Sequence, residues 1–261
     1  MPAPQLDTAS LFYDLNRFRI EGRLLTDQSV ISKYERSIEA IKAGKNCQPA
    51  SSQEVASYYV ILASLRCLTA DFGQVVTLGE KALNMTQDPY LVYNQSVTLS
   101  ISGYFSKARA TLDKVSEYDL ASLSLTEDDG VRITSILQDT ISLDRDVLSD
   151  DRVRDRFSYD VDRILEMREI LSDLGISDSQ ALSMLDIAGD VLRSRNTFLA
   201  HDLYIHTNSI ERYLSISLPV SLSASEIAEM EWECIGKVME QYPEVPYSSF
   251  NIGFTSANAH G

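Results

Sequence analysis

Residues 210–232 read IERYLSISLPVSLSASEIAEMEW, and two periodicities meet inside this stretch. Every even position from Leu214 to Leu222 is apolar, the period-2 alternation of a strand that buries one face. Ser223 and Glu226 then have the spacing of a capping box. Ile227, Met230, Cys234, Val238 and Tyr242 follow at helical intervals until Pro243 and Pro246 end the run. The other long segments of the chain read as helices, so this switch predicts a mainly α fold with a C-terminal α+β part. Pro219 cannot donate to a ladder, which predicts an edge position or a strand end. An edge strand there would be able to pair with a partner's strand.

Working outward, FLAHDLYIHT (198–207) reads as a second strand with Leu199, Leu203 and Ile205 on one face, and TNSIE (207–211) as a turn. Phe250, Ile252 and Phe254 alternate again as a terminal strand. Upstream, Val161, Leu165, Met167 or Ile170, and Leu174 trace a helix ending at Gly175. Ser177 and Gln180 form a second capping box before Leu182, Leu185, Ala188, Val191 and Leu192. The order helix, helix, strand, strand, helix, strand predicts a small sheet of about three strands packed on helices. The run DRDVLSDDRVRDRF (144–157) carries nine charges in fourteen positions and places the domain boundary. Residues 1–150 are then a helical domain and 151–261 an acidic α+β domain.

In the N-terminal half, Leu11, Leu15, Phe18 and Gly22 share a helical face. Val30, Tyr34, Ile38 and Ile41 share another that Gly44 closes, which predicts a helical hairpin. Ser51 with Glu54 opens a further helix whose apolar face includes Val55, Tyr59, Leu62 and Ala63. An internal echo follows: Phe72 and Phe105, Val75 and Ala108, and Ala82 and Val115 are each 33 residues apart, the spacing of helical repeat arrays. Phe105, Ala108, Leu112 and Val115 carry the alternation of aromatic, small and large residues of the tetratricopeptide second helix. Tyr59, Leu62 and Ala63 match its first. Over roughly residues 51–120 the chain therefore resembles the tetratricopeptide-repeat family, although it lacks the family's tryptophan and Pro89 lies two positions beyond the usual proline. The resemblance implies antiparallel helical hairpins presenting a concave surface to a protein or peptide.

Hydrophobic content of 44% and charged content of 23% are those of a folded globular chain. The start MPAPQLDTAS has no signal-peptide character and no apolar run reaches the roughly 18 residues of a membrane span, so a cytoplasmic location is expected. The net charge of -15 is uneven: residues 1–125 hold 12 basic against 13 acidic side chains, residues 126–261 hold 11 against 25. Such a half repels phosphates and anionic membranes, so neither direct nucleic-acid binding nor a membrane is expected, and it attracts a basic protein partner. Cys47, Cys67 and Cys234 are too far apart in sequence for a zinc knuckle and read as reduced, structural thiols.

No phosphate loop, HExxH or G-x-S-x-G is present, and no catalytic residue, metal ligand or cofactor is assigned. His201–Asp202 resembles the pair of HD-type phosphohydrolases, but those need a further histidine upstream and none precedes His201. His206 falls five residues on, on the opposite face of an uninterrupted strand. The expected function is therefore a non-enzymatic adaptor, inhibitor or immunity-type regulator that binds a basic protein. A nucleic-acid mimic, or a hydrolase-like enzyme centred on His201 and Asp202, stand as alternatives. Candidate partner-contacting residues are Tyr59 and Tyr93 on the helical array, Asp128, Asp129, Asp150 and Asp151 in the acidic half, and Trp232 between Glu231 and Glu233.

Overall fold

A computed structural model describes residues 8–43, 50–114, 165–200 and 203–257. The fold is mainly helical, with a small three-stranded mixed sheet in its C-terminal part. Helices α1 (Thr8–Ile20), α2 (Gln28–Lys42), α3 (Ser52–Leu68), α4 (Phe72–Leu83), α5 (Pro89–Ile101) and α6 (Phe105–Leu112) come first. Residues 165–173 are helical, and α7 (Asp178–Ser194), β1 (Tyr204–Asn208), β2 (Tyr213–Val220), α8 (Ala224–Gln241) and β3 (Phe250–Ser256) complete the order. The boundary near residue 150 and the charged run at 144–157 lie outside the described residues.

Over the pairs Phe72 with Phe105 and Val75 with Ala108 the 33-residue echo is a structural repeat, while Val115, the counterpart of Ala82, lies outside the described residues. Phe72 and Phe105 are each the first residue of the second helix of a hairpin, α3–α4 and α5–α6. The turns before them close identically. Asp71 N–H donates to the Arg66 carbonyl and Tyr104 N–H to the Leu99 carbonyl, both at 2.9 Å, and the left-handed positions are Ala70 (φ 58°) and Gly103 (φ 76°). Local sequence sets the helix starts as well: Ser51, Ser177 and Ser223 each complete a reciprocal capping box with Glu54, Gln180 and Glu226. Pro89 opens α5 at its first turn under an Asp88 cap, where its missing N–H costs nothing. The first pair is looser. α1 and α2 meet where the rings of Phe18 and Tyr34 stand edge to face at 6.0 Å.

β2 is the central strand, antiparallel to β1 on one side and parallel to β3 on the other. Leu214, Ile216, Leu218 and Val220 are all buried, as their alternation requires. Of the edge position or strand end expected from Pro219, the structure gives the strand end: Pro219 pairs with Thr255 of β3 and lies beyond Tyr204, where the β1 ladder ends at Ser217. Its carbonyl still accepts Ala200 N–H at 3.0 Å, so the proline sits at a ladder end, where no donor is needed. A central strand has no edge to offer a partner. β1 is also shorter than the 198–207 reading, because Leu199 N–H bonds the Ile101 carbonyl at the end of α5 instead of entering the sheet.

One continuous core runs from Leu11 through Leu65, Phe105 and Leu185 to Phe254. The helical array and the sheet layer meet at the turn between α5 and α6. Gly103 and Gly189 there touch backbone to backbone: a Cβ on Gly189 would fall onto the Gly103 carbonyl oxygen and 2.7 Å from its carbon. The Arg193 guanidinium caps the buried C-terminal end of α5, donating to the carbonyls of Gly103 and Ser102 and stacking 3.9 Å from the Tyr104 ring centre. Asp186 accepts Ser106 N–H at 3.1 Å and so holds the start of α6.

Candidate functional site

Helix α8 carries two apolar faces. Ile227, Met230, Cys234 and Val238 point into the core, as a 3.6-residue period dictates for a helix laid on a sheet. On the opposite side Ala228, Trp232, Gly236 and Met239 form a second stripe, flanked by the half-buried Ile235. A surface helix normally turns polar residues to this side. Here Trp232 is 77% exposed and Met239 51% exposed.

An acidic row borders the stripe. Glu226, Glu229, Glu233 and Glu240 follow one another along the helix beside Trp232, with Glu231 on the other flank. Arg195, just after α7, braces this row by binding Glu229 at 3.1 Å and Glu233 at 3.3 Å, and Lys237 reaches Glu233 at 2.8 Å. The Lys237 ammonium, assisted by Arg195, holds the Glu233 carboxyl below the usual range. The Ser223 hydroxyl and N–H do the same for Glu226. Both acids are therefore ionised throughout the neutral range. Five carboxylates against Arg195 and Lys237 leave the surface around Trp232 negative. Exposed pairs of this kind add little stability, and burial of Ile227, Met230, Cys234 and Val238 sets the direction in which α8 presents its outer stripe.

The remaining candidates are dispersed. Tyr59 is half-buried on α3, its ring 5.0 Å from that of Tyr58 and 5.8 Å from the Lys81 ammonium. Tyr93 is corrected as a surface contact: at 4% exposure its side chain lies in the core, because that face of α5 packs inside the array. Asp128, Asp129, Asp150, Asp151, His201 and Asp202 lie outside the described residues. His206 is exposed on β1 with its ring 6.1 Å from that of Tyr213. Burial pushes the Cys67 thiol up to about 11 and the Cys234 thiol up to about 12, so both are protonated, poor nucleophiles at neutral pH. Cys47 lies outside the described residues.

Among the described residues, no three His, Cys, Asp or Glu side chains gather to hold a metal ion, and no helix is long and apolar enough to cross a membrane. Of the sequence candidates, Trp232 is the one set on an exposed face with neighbours that extend it. Ala228, Gly236 and Met239 were not singled out by sequence reasoning. Their signal was present, since a helical projection of 224–241 puts them opposite Ile227, Met230, Cys234 and Val238.

The chain matches no protein-family model, and no curated protein or solved structure shows significant similarity to it. The site is thus defined by its own geometry: an exposed aromatic anchor on a braced, acidic helix.

Proposed function

We propose that this chain is a non-enzymatic, cytoplasmic binding protein, an adaptor or an inhibitor of the immunity type, that docks a basic protein target. The observation that carries the reading is Trp232, a large aromatic 77% exposed within an apolar stripe that a row of carboxylates borders. Buried tryptophans dominate interface energetics, and an indole face attracts arginine and lysine. Water around such a ring is released only when something covers it. The surplus of acid in the C-terminal half adds long-range attraction for a cationic surface.

The test is affinity purification from the native host with the full chain and with Trp232→Ala, at about 0.1 M and about 1 M salt, where the screening length falls from ~10 Å to ~3 Å. The reading expects a basic protein that is held at low salt, released at high salt and lost with Trp232→Ala. A partner held equally at both salts, or retained by the variant, refutes it.

A further inference from the structure

Gly236 is the key to what covers this face. It lies inside α8, and a side chain there would meet no atom within 4 Å. Among the described glycines inside other helices, Gly79 makes room for the Gln95 side chain and Gly189 for the Gly103 backbone, while Gly73 also stands clear of neighbours but in the first turn of α4, not in mid-helix. Among the described residues, nothing uses the missing side chain of Gly236. Glycine weakens a helix interior, but it lets another backbone approach closely, as Gly189 does for Gly103. Gly236 also stands one helical turn from Trp232, on the stripe that ends at Met239.

Resting on the partner-binding reading above, we propose that the outer face of α8 receives a basic amphipathic helix of the partner protein. Its apolar ridge would lie along Ala228, Trp232, Gly236 and Met239, with the closest backbone approach at Gly236, and its arginine or lysine side chains would reach Glu229, Glu233 and Glu240. The stripe from Ala228 to Met239 is ~17 Å long, about three turns of a docked helix. A second copy of this chain is disfavoured as occupant, because it would bring the same row of carboxylates and a net charge of -15 against its own image.

Trp232 is the only tryptophan in the chain, so its emission reports this face alone. The experiment titrates the full chain with two synthetic peptides of identical leucine, alanine and arginine content. One has its leucines at helical i, i+3, i+4, i+7 spacing; the other has the same residues shuffled. The amphipathic peptide should shift Trp232 emission to the blue with saturation, and the shuffled one should need at least tenfold more. Gly236→Gln, which adds bulk without charge, should weaken the first peptide at least tenfold while circular dichroism and Tm show an intact fold. Equal titration by both peptides, or a Gly236→Gln variant that titrates like the parent, overturns the helix. Either result leaves the basic-partner reading standing, since that reading is judged by salt and Trp232→Ala. Emission unmoved by either peptide also overturns the helix.

Discussion

The same substitution at two helix-interior glycines should change stability in opposite directions. At Gly189→Ala the new methyl meets backbone, with the Gly103 carbonyl carbon at 2.7 Å and its Cα at 3.0 Å. Ordinary carbon contacts are ~3.5–4.0 Å, so this carbon contact alone asks α7 and the α5–α6 turn to part by at least roughly 0.8 Å, and the nearer Gly103 carbonyl oxygen asks for more. Overpacking of this kind costs ~1–3 kcal/mol. Separation also stretches the Arg193 bonds to the Ser102 and Gly103 carbonyls, a charged interaction of ~1.5–3 kcal/mol. Alanine returns about 1 kcal/mol of helix propensity, for a net loss of about 3 kcal/mol. At Gly236→Ala nothing stands within 4 Å, only the propensity gain remains, and the protein should gain ~0.5–1 kcal/mol. For a chain of this size Tm should fall by about 6–12 °C in the first variant and rise by about 1–4 °C in the second. Urea unfolding followed by circular dichroism is the suitable assay, because Trp232 is already exposed and its emission changes little on unfolding. A Gly189→Ala protein as stable as its parent would refute the backbone contact that joins the helical array to the sheet layer.

Two further outcomes follow from local chemistry. The thiols of Cys67 and Cys234 should resist a disulfide reagent at pH 8 in the folded protein and react on addition of denaturant. Because folding raises both thiols, their contribution to stability is complete below the ordinary thiol range and is lost as pH climbs from about 9 through about 11 to 12. Prompt reaction of more than one of the three thiols in native buffer would contradict their burial. Ser177→Ala, which opens the capping box with Gln180, should cost about 1 kcal/mol at any pH between 3 and 7, since Gln180 does not titrate. The Ser223–Glu226 box should hold above the usual carboxylate range and weaken as pH falls through it, because folding lowers the Glu226 carboxyl. Equal pH sensitivity of Ser177→Ala and Ser223→Ala, measured by urea unfolding, would contradict this assignment.

Much of the architecture was legible because it depends on neighbours in sequence. Capping boxes at Ser51, Ser177 and Ser223 need only residues three apart, and the strand at 213–220 needs only alternation. The 33-residue echo was readable for the same reason, and its turns at Ala70 and Gly103 coincide. The site was legible in part. Helical spacing picked out the inner stripe of α8, Ile227, Met230, Cys234 and Val238, which the structure buries, but it did not say that the second stripe would stay uncovered.

The amino-acid order alone thus determined the helices, the strands, the repeat and the acidity of the second half, all of which arise from local periodicity, capping and composition. Tertiary structure decided the rest. The parallel pairing of β3 made β2 central and, of the edge or strand end that its proline allowed, left Pro219 at the end of the β1 ladder. The array closed over Tyr93. Gly103 met Gly189 from 86 residues away in sequence, fusing array and sheet into one core. The sheet took the stripe of Ile227, Met230, Cys234 and Val238, and Trp232 was left facing water. Long-range contacts set these outcomes because burial is a competition among all apolar surfaces of the chain, and no single segment contains its result.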